Sequence, residues 1–188
     1  MSDLLDISDP TELPLLVSFF DLKQYARFAR TQSPRENFDF ISEYYEFVGD
    51  ILEPCGVEIV KFIGDAGLVV CPEGRVNEGV LGLLRLKKEG DSWLADRGSP
   101  CRHIIKAHFG SAWCGEVGTR SKKRFDLFGL TVMTAAVVRS SGFAMTPQLF
   151  RKLDPASRKA FKKHTPPVTY IPVEQPDDSG PGARGGSL

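Results

Sequence analysis

One ordering constrains this chain more than any other: a short apolar run, an amphipathic helix pattern, then two strand-like runs back to back. Residues 15–20, LLVSFF, are rich in apolar, β-branched and aromatic side chains, which predicts a buried strand closed by the acid Asp21. From Arg35 to Leu52 the positions Phe38, Ile41, Tyr45, Val48 and Leu52 recur every three or four residues behind a Ser33-Pro34 start, which predicts a helix. Pro54 and Gly56 stop it. VEIVKFIG and DAGLVVCP then predict two strands meeting at a tight Gly64-Asp65 turn, so a second acid sits at a hairpin tip.

The pattern continues with residues 76–89, where Val76, Val80, Leu83 and Leu84 keep helical spacing although Gly79 and Gly82 remove propensity. A loop is expected through GDSWLADRGSP. HIIKAHFG and SAWCGEVG read as a second hairpin, the basic stretch TRSKKR follows, and FDLFG leads into a short helix over TVMTAAVVRS. FAMT, a helix around PQLFRKL, a helical piece in PASRKAFKK and a strand in VTYIPVE complete the pattern. This order predicts an α+β fold with a split βαβ, ferredoxin-like core: a mostly antiparallel sheet with helices packed on it. Residues 1–14 read as an N-terminal segment and 15–174 as the folded domain. Residues 175–188 read as a Gly/Pro/Ser-rich disordered tail.

Composition narrows the function. The 188 residues suit one domain, and 24 basic against 24 acidic residues leave no excess of positive charge to neutralise phosphates. Neither nucleic acid nor a membrane surface is therefore expected as a partner. The four cysteines (Cys55, Cys71, Cys101, Cys114) form no CxxC pair and read as free thiols. The start MSDLLDISDPTE carries acids where a secretory signal needs basic residues, and no apolar run approaches the about 20 residues that span a bilayer. A cytoplasmic location is expected.

Asp21 and Asp65 each close an apolar strand, and if those strands are neighbours their carboxylates converge at one edge of the sheet. Two hard oxygen ligands there would hold Mg²⁺ or Mn²⁺ against a triphosphate. Spacing alone is served equally well by two acids that merely cap turns. No Ser/His/Asp or Cys/His arrangement and no GxxxxGK loop is present, which sets aside hydrolase and P-loop chemistry.

The segments VSFFDLKQYARFA, VKFIGDAGLVV, IKAHFGSAWCGEVG and RFDLFGLTVMTAA resemble, in order and spacing, the catalytic domain of the class III adenylate and guanylate cyclases, over roughly residues 15–173. The resemblance implies a homodimer with sites at its interface. It also implies two ions, Mg²⁺ or Mn²⁺, held by Asp21, Asp65 and the backbone at Leu22 over a nucleoside triphosphate. Lys61 stands where that family reads the purine and Asp126 matches its partner. A lysine donor and a carboxylate acceptor complement adenine, so ATP is favoured. Lys162 and Lys163 fall where the family often has a triphosphate-binding lysine, and His108 where it often has a strand histidine, here expected to be structural.

The departures are equally specific. The family's helix asparagine is Met133 here and its transition-state arginine is Val137; neither side chain can donate a hydrogen bond, and the i, i+4 pair reads as an apolar packing stripe. After the first acid, Gln24, Tyr25 and Ala26 replace small and hydroxyl residues. Arg120, Lys122, Lys123 and Arg124 are candidate replacement cations. Two readings follow: a nucleotidyl cyclase in signal transduction, or a catalytically degenerate cyclase-like module that binds a nucleotide or partner and acts by dimerising. An RNA-binding split βαβ domain lacks the aromatic pair and basic face it would need.

Overall fold

A computed structural model describes residues 4–7 and 9–177. Strand β1 (Thr11–Lys23) leads through the short helix α1 (Tyr25–Ala29) to α2 (Pro34–Leu52). Local chemistry starts α2: the Ser33 hydroxyl accepts from the Glu36 amide and the Glu36 carboxylate accepts from the Ser33 amide, a reciprocal cap with proline at the first turn. Strands β2 (Glu58–Ile63) and β3 (Ala66–Pro72) form the hairpin, α3 (Val76–Asp96) crosses back, and β4 (Arg102–Gly118) returns beside β1. The strand order β2-β3-β1-β4, with every neighbour antiparallel, is that of the split βαβ core. Then follow β5 (Lys123–Phe128), α4 (Leu130–Val137), β6 (Phe143–Met145), α5 (Pro147–Lys152), α6 (Pro155–Arg158), β7 (Phe161–His164) and β8 (Thr169–Pro172). Of these, β5 pairs with the far half of β4, while β6, β8 and β7 extend the sheet from its near half.

Alternation along β1 sets two cores, since successive side chains point to opposite faces. Leu16, Phe20 and Leu22 face α2 and α3 and bury with Tyr44, Val48, Leu83 and Leu86. Leu15 and Val17 face the other way and bury with Leu68, Val70, Cys114, Leu127 and Ala135. The buried line of α2 is Tyr44, Val48, Ile51 and Leu52; Phe38 stays exposed. Gly79 and Gly82, weak helix formers, serve close approach: a Cβ at Gly79 would lie 2.7 Å from the Cys71 sulfur and one at Gly82 2.8 Å from the Cys55 Cβ. All four cysteines are free, and burial pushes the Cys71 thiol up to about 12 and the Cys114 thiol to about 11.

Several sequence expectations are corrected. The first strand does not end at Asp21; it runs from Thr11 to Lys23, starting ahead of residue 15, because β4 pairs with it from Thr11↔Cys114 to Lys23↔Arg102. The expected hairpin at Gly110-Ser111 does not form. Residues 102–118 are one continuous strand, and Gly110 is small because a Cβ there would meet the Thr131 hydroxyl of α4 at 2.6 Å. Residues 90–96 belong to α3 rather than a loop, since Gly90 leaves room for the His103 ring, whose Cε1 would lie 2.4 Å from a Cβ. PASRKAFKK is helical only through Arg158, and Phe161–His164 pair with β8. Gln175 and Asp177, assigned to the tail, hold contacts: the Gln175 side chain accepts from the Phe143 amide at 2.7 Å and Asp177 pairs with Lys162. The rest of the expected tail, 178–188, lies outside the described residues. Among the described residues, no helix is long and apolar enough to cross a membrane.

Candidate active site

Adjacent strands β1 and β3 bring Asp21 and the β2–β3 turn together. The Leu22 amide donates to Asp21 Oδ1 at 2.8 Å and to Asp65 Oδ2 at 3.3 Å, so one N–H is shared by both carboxylates. Burial, then hydrogen bonding to Asp21 and repulsion from its charge, push the Asp65 carboxyl up to about 6. Beneath the acids, burial and the charges of Asp65 and Asp21 also hold the Tyr44 phenol well above its ordinary value.

Two aromatic residues of α2 to which the sequence analysis gave no role at the site fix this corner. The Tyr45 hydroxyl donates to the Gly64 carbonyl at 2.6 Å, and its ring stacks on Phe62 at 3.7 Å, clamping the turn that carries Asp65 to α2. The fully buried Tyr44 hydroxyl faces His103 Nε2 at 3.0 Å, and His103 Nδ1 faces Asp91 at 3.1 Å. Burial lowers the His103 pKa, favouring the neutral ring with Nδ1 donating to Asp91 and Nε2 accepting from Tyr44. The signal in the sequence was the Tyr44-Tyr45 doublet, whose members point about 100° apart around a helix and so serve two different contacts.

Lys61 and Asp126 meet through a break in register. At β2 the pairing steps from Ile59↔Val69 to Lys61↔Leu68, so Val60 is extra. Without that bulge Lys61 would oppose Gly67 and point toward α2; with it, Lys61 shares the face of Leu68, the second core. The sheet curls around that core until β2 reaches β5, four places along the pairing order, and the Lys61 ammonium bonds the Asp126 carboxylate. The Leu127 amide holds the other Asp126 oxygen at 2.9 Å. The ammonium keeps donors and the carboxylate keeps lone pairs for a ligand.

Other expected residues lie elsewhere. Lys162 and Lys163 sit on β7, four strands from β1 across the sheet and about 19 Å away at the usual strand spacing. Lys162 is paired there with Asp177 at 3.2 Å. Arg120, Lys122, Lys123 and Arg124 surround the exposed β4–β5 turn and make no ion pair among the described residues. Met133 and Val137 do not form a packed stripe within this chain: they are 66% and 76% exposed, while α4 buries Thr131 and Ala135 instead. Gln24 adopts a left-handed φ of 72° as it starts α1, and its carbonyl accepts from Arg27 and Phe28 at 3.1 Å. Tyr25 donates to Asn37 at 2.6 Å. His108 is buried with Nδ1 2.8 Å from the Thr146 hydroxyl.

The donor chemistry of the corner fits a hard divalent cation: two carboxylates crowded against their own repulsion, with a backbone peptide between them. No group of three His, Cys, Asp or Glu side chains suited to a metal occurs among the described residues, so further ligands would have to come from water and substrate oxygens, as Mg²⁺ prefers.

Residues 12–149 match the adenylate and guanylate cyclase catalytic domain, and the chain belongs to that family. It is 29% identical over 157 residues to Guanylate cyclase 32E of Drosophila melanogaster, covering 77% of this chain but 13% of that protein. Among solved structures, the adenylyl cyclase CyaB from P. aeruginosa superposes with a TM-score of 0.76 at 14% identity, covering 92% of this chain and 100% of that one. A bacterial light-regulated adenylyl cyclase gives 0.76 at 18% identity, covering 88% of this chain and 53% of that one. The guanylate cyclase domain of RhGC from Catenaria anguillulae, in complex with GTP, gives 0.71 at 18% identity over 85% of this chain and 96% of that one. The chain thus spans only part of the fly protein and about half of the light-regulated one.

Proposed function

We propose that this domain converts a nucleoside triphosphate, with ATP favoured, into a 3′,5′-cyclic nucleotide and pyrophosphate at the interface of a homodimer. The observation that carries the reading is the Asp21–Asp65 pair sharing the Leu22 amide, in one chain with the Lys61–Asp126 pair. Asp21, Asp65 and the Leu22 backbone would hold two Mg²⁺ or Mn²⁺ ions. Such ions, when bound, polarise the α-phosphate and neutralise the leaving pyrophosphate. Lys61 donates to adenine N1 and Asp126 accepts from its amino group, orienting the nucleoside so that the ribose 3′-oxygen faces the α-phosphorus. The 3′-hydroxyl gives its proton to solvent water as its oxygen bonds the α-phosphorus and the bond to the bridging α,β-oxygen breaks.

The exposed apolar group on and beside α4 supports dimerisation. Leu130, Val137, Met133 and Phe128 are 77%, 76%, 66% and 54% exposed, and Trp113, opposite Phe128 on the paired strand, is 55% exposed. A second copy would take these side chains out of water. The same helix supports the second reading, a degenerate module. It offers no donor at Met133 or Val137, and loss of one preorganised donor typically costs about 10²–10³ in rate.

The test is an assay of purified protein with Mn²⁺ and each of ATP, GTP, CTP and UTP, resolving cyclic from linear products. Cyclic AMP formation that disappears in Asp21→Asn supports the cyclase. Metal-dependent nucleotide binding without any cyclic product moves the protein to the degenerate reading.

A further inference from the structure

The amide that the two acids share is aimed from the neighbouring strand. Leu22 on β1 stands opposite His103 on β4. The Leu22 amide donates to Asp21 and Asp65, and the His103 amide donates to Asp91 Oδ1 at 2.8 Å, so neither residue bonds the other. Theirs is a non-hydrogen-bonded pair, with Cα atoms about 4.5 Å apart and side chains in close reach. The next pair, Asp21↔Ile104, is then of the hydrogen-bonded kind. Because a trans peptide points its oxygen and its N–H opposite ways, the Asp21–Leu22 peptide gives its carbonyl to Ile104 and its N–H to the acids.

A side chain of α3 holds β4 at this point. β6 pairs with β4 only from Ile105 to Ala107, which leaves the outer side of His103 without a strand among the described residues. Asp91 takes that place. Its Oδ1 accepts from the His103 amide and faces Nδ1 of the same ring at 3.1 Å, while its Oδ2 pairs with Lys87. The Tyr44 hydroxyl meets the other ring nitrogen, and the ring itself is fully buried. Both ring nitrogens and both Asp91 oxygens thus have a partner, and a buried polar network satisfied in this way is stiff.

We propose that Asp91 is a positioning residue for the two-acid corner. By fixing His103 it sets the β4 backbone against which the Asp21–Leu22 peptide is held, and so the direction in which the Leu22 backbone meets a metal ion. This role rests on the reading that Asp21, Asp65 and the Leu22 backbone hold the ions. Asp91 acts only through β4, since its bonds go to His103 and Lys87 and not to either acid. Small displacements count at such a site, because Mg²⁺ demands near-ideal octahedral geometry, and partners that orient a metal's ligands typically change its affinity by about 10–100-fold when removed.

The test uses the full chain. Exchange of the Leu22 amide with solvent deuterium is followed by NMR in EDTA, and Mn²⁺ affinity is measured separately by calorimetry. Asp91→Ala should speed Leu22 exchange and weaken Mn²⁺ binding, each by about tenfold or more. Asp91→Asn keeps an oxygen for the His103 amide and should stay close to the wild type in both. Leu149→Ala, a truncation of a fully buried side chain on α5, reads the effect of lost stability alone and should leave Mn²⁺ affinity unchanged. If Asp91→Ala does not fold, Asp91→Glu carries the same expectation, since it keeps the charge but sets the carboxylate one carbon too far to hold amide and ring together. Leu22 exchange no faster in Asp91→Ala than in Leu149→Ala, or Mn²⁺ affinity no weaker, overturns the proposal. So does an Asp91→Asn as impaired as Asp91→Ala, which would make charge and not position the cause. Where Asp65→Asn still abolishes Mn²⁺ binding, those results leave the metal reading standing; a wild type that binds no Mn²⁺, or an Asp65→Asn that binds it equally well, overturns that reading and the proposal with it.

Discussion

Replacing Asp65 by asparagine should stabilise the metal-free protein, an unusual outcome for a residue placed at the active site. The Asp65 carboxyl lies at about 6 against an ordinary 3.8, so the folded chain holds its proton more tightly than the unfolded chain does. That contribution to stability is fully present below about pH 3.8 and is lost as pH rises through about 6. Fully expressed, the ionised carboxylate would cost the fold about 3 kcal/mol. The group is only about half-buried, and solvent screening reduces the figure to about 1–1.5 kcal/mol. Asparagine keeps an oxygen to accept from the Leu22 amide, so little is lost in exchange. Thermal unfolding in EDTA should therefore show Asp65→Asn higher by about 2–4 °C at pH 8 and level with the wild type at pH 4. Saturating Mn²⁺ should reverse the order, since the wild type gains about 2.7 kcal/mol at a hundredfold excess over Kd and the variant loses that gain. A variant no more stable than wild type at pH 8, or one equally stabilised at both pH values, would refute the reasoning that burial and the neighbouring Asp21 disfavour the ionised Asp65.

Three further outcomes follow from the same geometry. Lys61→Glu should lower the preference for ATP over GTP by about 1–3 kcal/mol in competitive binding, because a carboxylate then opposes adenine N1; an unchanged ratio would remove Lys61 from base reading. Met133→Asn with Val137→Arg should raise turnover up to about 10²-fold with little change in nucleotide affinity. Both positions are exposed, so unfolding should move by no more than about 0.5 kcal/mol unless a partner chain covers them, which the oligomeric state measured alongside would reveal. Tyr45→Phe keeps the stack on Phe62 but removes the bond to Gly64; it should cost about 1 kcal/mol of stability and weaken Mn²⁺ binding, whereas unaltered metal affinity would show that the turn holds itself.

Much of the fold was legible because it is written in local periods. The spacing of α2, its Ser33 cap and the Gly64-Asp65 turn are properties of neighbouring residues, and they fix a strand–helix–hairpin order that closes one way. Asp21 and Asp65 could be named from the same stretches, whereas Lys61 and Asp126 were named only through the resemblance to the cyclase family. What the sequence could not express was partnership. Gly110 reads as a turn until β1 is seen pairing with all of β4, and Gly90 reads as a break until His103 fills the space of its Cβ.

The side on which Lys61 emerges was decided by one unpaired residue at Val60, since the period of a strand is two and a single extra residue turns every later side chain over. Lys162 and Lys163, named through the resemblance, stand on β7, four strands from β1 of the same chain, a separation that sheet order and not chain order sets. Asp91 and Leu22 share no pattern in the chain; only the packing of α3 against β4 and the pairing of β4 with β1 link them. The sequence by itself determined which elements form and which acids they carry, because those depend on backbone preference and apolar spacing. The tertiary structure alone decided what each side chain faces, because that depends on residues distant in the chain occupying, or leaving open, the same few ångströms.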